Sequence, residues 1–220
     1  MQAIIFDMDG TLFQTDRILE LALDDTFKLL AEMNVWDIEE PTPIDTYRRI
    51  MGVPLPVVWE TLLPSHSQAI RVEANLIFHE KLIDNIHKGN GALYPGVTDV
   101  LEFLKKENLD VYIASNGQTA YLEAIVEQYD LNRWVTEVFS IDRIESLDKT
   151  ELVGEIIRKY SIKHGAVVGD RLSDINAAKR NGLTAIGCRF DFAQEEELEQ
   201  ADMVINSLEE LKKLVLQIVE

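Results

Sequence analysis

Short apolar runs without polar alternation recur along the chain, and they predict buried parallel strands covered on both faces. The five runs are Ala3–Phe6, Val111–Ala114, Ala166–Val168, Thr184–Gly187 and Met203–Ile205. From about residue 93 onward, segments with apolar residues at helical spacing separate these runs. The alternation predicts an α/β fold with a doubly wound parallel sheet, a Rossmann-like core whose active residues follow the carboxyl ends of strands.

A different pattern fills the stretch between the first two predicted strands. Leu23, Phe27 and Leu30 share one helical face there, and a longer helix is predicted between about Ser67 and His87. We therefore expect a helical domain over residues 14–90, inserted into an α/β core domain that comprises residues 1–13 and 91–220. Glycines and a proline between Gly89 and Gly96 mark the return to the core.

Composition narrows the classes of partner. The 220 residues carry a formal net charge of −18, which disfavours binding to nucleic acid or to an anionic membrane. An acidic surface also repels phosphorylated substrates, so a phosphate site here would need a metal ion and a few well-placed basic residues. A single cysteine, Cys188, forbids an intrachain disulfide, and no apolar run approaches the roughly 18 residues that span a bilayer. We expect a cytoplasmic protein, either a monomer or a homodimer.

The strongest chemical signal lies directly after the first strand, in the sequence FDMDGTL. Asp7 and Asp9 are two acids one residue apart, and their repulsion destabilises the fold unless a cation neutralises them. Gly10 allows a sharp turn that directs backbone N–H groups toward an anion. The alternative is an ordinary Asp-Gly turn, but the buried strand before it and Thr11 after it favour a functional site.

Three further segments follow in an order that suits a doubly wound sheet. Ser115 and Asn116 follow the second predicted strand, where a hydroxyl and backbone amides can bind phosphate, although a simple helix start would look similar. Lys149 precedes a helix, where a cation opposes the helix dipole unless it pairs with an anion; a solvated surface lysine is the alternative. Asp170 and Asp174 follow another strand, and Asp174 could instead be an acid of the first helical turn.

Together DMDGTL, ASNG, Lys149 and GDRLSD resemble the four motifs of the haloacid dehalogenase-like hydrolase superfamily, and the helical insertion resembles its small helical cap. The cap size and the GDR-type fourth motif are most similar to the phosphoglycolate phosphatase-like branch. The resemblance implies a Mg²⁺-dependent phosphatase that acts on a small phosphorylated metabolite. Two departures are Thr150, where the family often has proline, and Arg171, which replaces a small hydroxyl residue.

The resemblance also implies a role for each matched position. Asp7 would be the nucleophile that forms an aspartyl-phosphate, and Asp9 the general acid and then the general base. The implied metal residues are Asp7, Asp9 (through its backbone carbonyl), Asp170 and Asp174. The implied phosphoryl-binding residues are Lys149, Ser115, Asn116, Gly10 and Thr11.

Several alternatives remain open on the sequence. The acid at position 9 favours phosphoryl transfer over dehalogenation, because dehalogenases of the superfamily lack that acid. A phosphomutase similar to β-phosphoglucomutase would use Asp7 in the same way and return the phosphoryl group to the sugar. A receiver-type phospho-acceptor module is disfavoured by its shorter chain and by Asp7 following the first strand.

Substrate choice is expected to depend on the helical cap. Arg48 and Arg49 are the candidate contacts there, and Arg49 is predicted to bind an anionic group of the substrate. A solvated arginine pair is the alternative. Trp36, Trp59 and Trp134 are expected to be packing residues.

Overall fold

A computed structural model describes residues 2–50, 55–191 and 193–218. In chain order the elements are β1 (Gln2–Phe6), α1 (Asp16–Glu32), α2 (Ile44–Arg49), α3 (Leu55–Leu62), α4 (Gln68–His87), α5 (Val97–Lys106), β2 (Asp110–Ser115), α6 (Thr119–Gln128), β3 (Val135–Ser140), α7 (Lys149–Tyr160), β4 (His164–Gly169), α8 (Leu172–Arg180), β5 (Thr184–Cys188), α9 (Glu195–Leu198), β6 (Met203–Ile205) and α10 (Leu208–Ile218). Single 3₁₀ turns span Leu131–Arg133 and Ile141–Arg143.

The strands form one parallel sheet in the order β3-β2-β1-β4-β5-β6. This confirms the predicted doubly wound α/β fold. All five predicted strands are present, each at or within a few residues of its predicted bounds. The sixth strand, β3, was not predicted; it lies at one edge of the sheet and carries the exposed Thr136 and the partly exposed Glu137, so it lacks the continuous apolar run of a central strand.

Strand register places three strand ends at one level. Phe6 in β1 pairs with Ile113 in β2 and with Val168 in β4, so the residues after these three positions emerge side by side at the carboxyl edge. Successive side chains of a strand point to opposite faces of the sheet, so consecutive residues of β1 face opposite layers of helices. On one face, α7 and α8 contribute Leu152 and Ile175 to a buried cluster that includes Ile5.

The backbones of β1 and β4 approach each other closely at Gly165. A Cβ added at Gly165 would lie 2.0 Å from the carbonyl oxygen of Ala3 in the neighbouring strand. Because real Cβ atoms do not approach backbone oxygens so closely, glycine at this position lets the two strands pair at their observed spacing.

The helical segment has a core of its own. Helices α1 and α4 pack along each other, and the Phe78 ring contacts the rings of Tyr47 and Trp59, at centroid distances of 6.4 and 5.7 Å. The Trp36 ring meets the Phe27 ring edge-on at 4.7 Å. Trp36 and Trp59 are therefore packing residues, as expected from the sequence.

The chain divides into two compact units, Met1–Thr15 with Ala92–Glu220, and Asp16–Gly91. The first contains the sheet and its flanking helices, and the second contains α1 to α4. Across the described ranges, none of the helices combines the length and the apolar character needed to cross a membrane.

Replacing Gly165 by alanine should destabilise the α/β unit, because the new methyl group would force β1 and β4 apart. We expect the free energy of unfolding to fall by about 1–3 kcal/mol, the usual cost of overpacking, as measured by urea denaturation. The exposed His164 in the same strand provides the control, since His164→Ala removes no buried contact. Equal stability of Gly165→Ala and wild type would contradict the close approach.

Candidate functional site

Asp7 follows β1 directly and begins a tight turn. Its backbone N–H donates to the Val168 carbonyl, and its carboxylate oxygen Oδ1 accepts a 2.7 Å hydrogen bond from the Met8 N–H. The Met8 carbonyl accepts from the N–H groups of Leu12 and Phe13, which folds the chain back over the strand end. The nearly buried Asp7 carboxylate is thereby fixed at the carboxyl edge of the sheet.

Two glycines allow the acids of neighbouring strands to meet. Gly10 has φ = +74°, and a Cβ there would lie 2.6 Å from Oδ2 of Asp170. A Cβ at Gly169, the last residue of β4, would lie 2.2 Å from the carboxyl carbon of Asp174. Thr11 completes the contact between the two strand ends by donating from Oγ1 to Oδ1 of Asp170 over 3.1 Å. Side chains larger than hydrogen at either glycine would displace an acid of the site.

Lys149 joins the acids that follow β1 and β4. Its Nζ lies 2.7 Å from Oδ1 of Asp7 and 2.5 Å from Oδ1 of Asp174, and the lysine is only 3% exposed. Burial opposes the charge of Lys149, but Asp174 and Asp7 together hold its pKa above its ordinary value. Lys149 is therefore not a solvated surface lysine. Its position in the first turn of α7, unfavourable for a cation, is explained by this pairing.

Asp7, Asp170 and Asp174 form a buried acidic cluster in which one carboxylate oxygen of each lies within 4.8 Å of the others. Burial, and then repulsion from Asp7 and Asp174, raises the pKa of Asp170. Burial also raises the pKa of Asp174, although Lys149 opposes the rise. Three carboxylates facing one ammonium leave an excess of negative charge.

This donor set fits a divalent metal ion. Closely spaced carboxylate oxygens suit Mg²⁺, which binds one or two carboxylates and retains several waters. Asp174 is less available than Asp7 and Asp170 to bind the ion, because both of its oxygens already have partners. One pairs with Lys149, and the other accepts a 3.1 Å hydrogen bond from the Arg171 N–H. Asp7 and Asp170 are therefore the best-placed side chains for an ion.

The Asp9 side chain lies outside that cluster and has different partners. Its Oδ1 accepts hydrogen bonds from the hydroxyl groups of Thr15, at 2.5 Å, and Tyr121, at 2.6 Å. Burial of the carboxyl group raises the pKa of Asp9 to about 6, although both hydroxyl donors oppose the rise. A carboxyl group with such a pKa can both give and take a proton near neutral pH.

The segment after β2, which the sequence predicts to bind a phosphoryl group, lies at the same edge of the sheet. Ser115 is buried at the end of β2, and its Oγ accepts a 3.0 Å hydrogen bond from the Gly117 N–H. Asn116 follows as an exposed residue. Ser115 ends a strand adjacent to β1, so it borders the turn that begins at Asp7.

Arg49 belongs to the helical unit, where it is the last residue of α2. It is exposed, and its Nη2 donates to Oγ1 of Thr46 at 3.0 Å. Arg48 differs from it, because its guanidinium makes two hydrogen bonds to the carboxylate of Glu20, at 2.5 and 2.7 Å. Residues 51–54, which follow this arginine pair, lie outside the described residues. The substrate-binding role of Arg49 stays a prediction.

Three contacts at the site were not predicted from the sequence: those of Thr15, Tyr121 and Glu197. Glu197 in α9 accepts from the Leu172 N–H at 2.8 Å and from Nε of Arg171 at 3.1 Å. It thus holds the start of α8, the helix that carries Asp174. Thr15 lies three residues after Leu12, the last residue of the first motif, and this closeness was a signal for it. Tyr121 and Glu197 lie in otherwise ordinary helical sequence.

Known proteins are similar to this chain in sequence and in fold. A family model described as haloacid dehalogenase-like hydrolase matches residues 1–182. A phosphorylated carbohydrates phosphatase of Thermotoga maritima is 29% identical over 84% of this chain and 84% of its own. A phosphoglycolate phosphatase of Pseudomonas fluorescens is 24% identical over 94% of this chain and 77% of its own. The crystal structure of CbbY from Rhodobacter sphaeroides in complex with phosphate has a similar fold, with a TM-score of 0.77 and 20% identity over 95% of each chain.

The acidic cluster makes stability depend on pH and on divalent ions. The pKa of Asp170 is raised on folding, so its stabilising contribution is complete below about pH 4, the ordinary pKa of an aspartate, and is lost as pH rises through the raised value. Without divalent ions, stability should therefore fall toward neutral pH. Mg²⁺ at about 100 times its Kd should add about 2.7 kcal/mol. Thermal unfolding at several pH values, with and without MgCl₂, measures both effects.

Asp170→Asn should lose the part of the pH dependence that Asp170 contributes, while Asp9 and Asp174 keep theirs, and it should lose most of the stabilisation by Mg²⁺. The matched control is Asp99→Asn, which removes an exposed aspartate from the first turn of α5. Full stabilisation of Asp170→Asn by Mg²⁺ would show that the ion binds elsewhere.

Proposed function

The chain belongs to the haloacid dehalogenase-like hydrolases, and on that premise we propose that it is a Mg²⁺-dependent phosphatase that hydrolyses a small phosphorylated metabolite through an aspartyl-phosphate on Asp7. The observation that carries the proposal is the meeting of Asp7, Lys149 and Asp170 at one edge of the sheet. A buried nucleophilic carboxylate, a cation and a metal-binding acid are the parts that phosphoryl transfer requires.

The relatives support the substrate class. Two of them are named phosphatases, one for phosphorylated carbohydrates and one for phosphoglycolate, and both match most of this chain. The acid at position 9, with its two hydroxyl partners, further supports phosphoryl chemistry over dehalogenation. We propose a cytoplasmic location, consistent with a single, buried cysteine.

In the first step, a carboxylate oxygen of Asp7 forms a bond to phosphorus while the bond from phosphorus to the leaving oxygen breaks. The leaving oxygen keeps that electron pair and takes a proton from Asp9, so the alcohol departs neutral. Lys149, beside Asp7, offsets charge on the phosphoryl oxygens, and Ser115 with backbone N–H groups near Gly10 and Asn116 would hold them.

In the second step, water attacks the phosphorus of the aspartyl-phosphate. Asp9, now ionised, takes the water proton as the new bond from oxygen to phosphorus forms. The bond between Asp7 and phosphorus breaks, the carboxylate is regenerated, and inorganic phosphate leaves. The raised pKa of Asp9, about 6, suits a group that is an acid in one step and a base in the next.

Asp7 and Asp170 would hold the metal ion, with the Asp9 carbonyl as a further oxygen ligand and Asp174 acting through water. When bound, Mg²⁺ neutralises charge on the phosphoryl group and orients it. The excess of buried carboxylates over ammonium groups supports this assignment.

Asp7→Asn tests the nucleophile, because an amide cannot form the aspartyl-phosphate. We expect turnover of a panel of phosphorylated metabolites to fall by at least about 10³-fold, with the fold retained as judged by circular dichroism. Asp99→Asn, at an exposed aspartate, is the control. The assay should measure inorganic phosphate together with isomeric sugar phosphates, because a phosphomutase would form isomers without releasing phosphate. Unchanged turnover by Asp7→Asn at saturating Mg²⁺ would contradict the mechanism.

Arg49→Ala tests the proposed substrate contact of the helical unit. An arginine that binds a second anionic group contributes only for substrates that carry one. We expect the KM of the best anionic metabolite to rise about tenfold, as for loss of a charge-assisted hydrogen bond, and that of 4-nitrophenyl phosphate to stay within about twofold. The neighbouring Arg48→Ala is the control, because Arg48 is held by Glu20. Equal effects on both substrates would argue against the contact.

A further inference from the structure

Tyr121 makes a contact to the acid–base group from a distant part of the chain. It lies in the first turn of α6, the helix that follows the Ser115 loop, and its side chain is almost fully buried. Its phenol oxygen donates to Oδ1 of Asp9 at 2.6 Å, across 112 positions of sequence. Both residues belong to the α/β unit.

The two hydroxyl groups that donate to Asp9 bond the same carboxylate oxygen. Thr15 and Tyr121 both donate to Oδ1, and among the residues that the structure describes no donor reaches Oδ2. An oxygen that already accepts two hydrogen bonds is a poor site for a further proton. When Asp9 is protonated, the proton therefore resides on Oδ2, the oxygen without a donor.

Asp9 needs such anchors because the terminal torsion of an aspartate is broad, so its rotamer does not fix which oxygen faces a reactant. Proton transfer in both steps requires one oxygen within hydrogen-bond distance of the leaving group and later of the water. Thr15 is only six residues from Asp9 and moves with the same turn, whereas Tyr121 ties the carboxylate to a separate helix.

We infer that Tyr121 is a positioning residue that orients Asp9 so that Oδ2 delivers and receives the catalytic proton. The inference rests on the proposed function and adds to it the residue that directs the acid–base group. Its specific consequence concerns the leaving group: loss of the Tyr121 hydroxyl should slow transfer from substrates whose leaving oxygen needs a proton and spare those whose leaving oxygen does not.

Tyr121→Phe tests this, since it removes the hydroxyl and keeps the buried ring. Quench-flow experiments with enzyme in excess isolate phosphorylation of Asp7 by two substrates, an alkyl phosphate such as phosphoglycolate and 4-nitrophenyl phosphate. We expect the rate with the alkyl phosphate to fall about tenfold, as for loss of a hydrogen bond to a charged group, and the rate with the nitrophenyl ester to stay within about twofold. Thermal unfolding should show an intact fold.

Two further variants separate the possible outcomes. Tyr160→Phe removes a phenol that donates to Glu137 in the same unit, and should leave both rates unchanged. Asp9→Asn should slow the alkyl phosphate by about 10²–10⁴-fold and the nitrophenyl ester much less. If Asp9→Asn shows this selectivity and Tyr121→Phe slows both substrates equally or neither, the positioning role is overturned and the proposed function stands. If Asp9→Asn shows no selectivity, the acid role and the positioning role are both overturned.

Discussion

The ammonium group of Lys149 lies between two buried carboxylates, and the arrangement of the site depends on that pairing. Each of the three groups would be unfavourable at its depth by itself, because burial of an unpaired charge is costly. Asp7 comes from the end of β1, and Asp174 from the first helical turn after β4. The lysine therefore connects two adjacent strand ends through charge. The pairing leaves the cluster short of positive charge, which is the physical reason to expect a divalent ion there.

Strand order determines which residues can take part in this pairing. β1 is flanked by β2 and β4, so the turn after β1 lies beside Ser115 on one side and beside the acidic segment after β4 on the other. In a parallel sheet these ends all meet at one edge, where backbone N–H groups and side chains can surround a small anion. Glycines at positions 10 and 169 make the close approach of the acids possible. The chemistry thus depends on the register of the strands and on the small size of Gly10 and Gly169, as well as on charged groups.

Much of this arrangement was predictable from the sequence, because its signals are local. A buried apolar strand followed by paired acids and a glycine is visible within a dozen residues, and the family resemblance supplied the order of the later segments. Lys149 was noticeable because a cation in the first turn of a helix opposes the helix dipole, and its ion pairs now explain the position. The edge strand β3 was missed because its polar residues obscure the apolar pattern. Tyr121 and Glu197 were missed for another reason: each acts through a contact with a distant segment, and nothing in the local sequence marks it.

The hydrogen bonds of Glu197 extend the site beyond the portion of the chain that resembles the family model. That match ends at residue 182, yet the carboxylate that holds Arg171 and the beginning of α8 comes from the short helix α9. A chain shortened after residue 182 would retain Asp7, Asp9, Asp170 and Asp174 while losing two strands and this support. The 38 residues after position 182 therefore include a side chain, that of Glu197, whose support of the site a comparison of catalytic motifs does not detect. A substitution there would affect the reaction through the backbone at the start of α8 rather than through a group that touches the substrate.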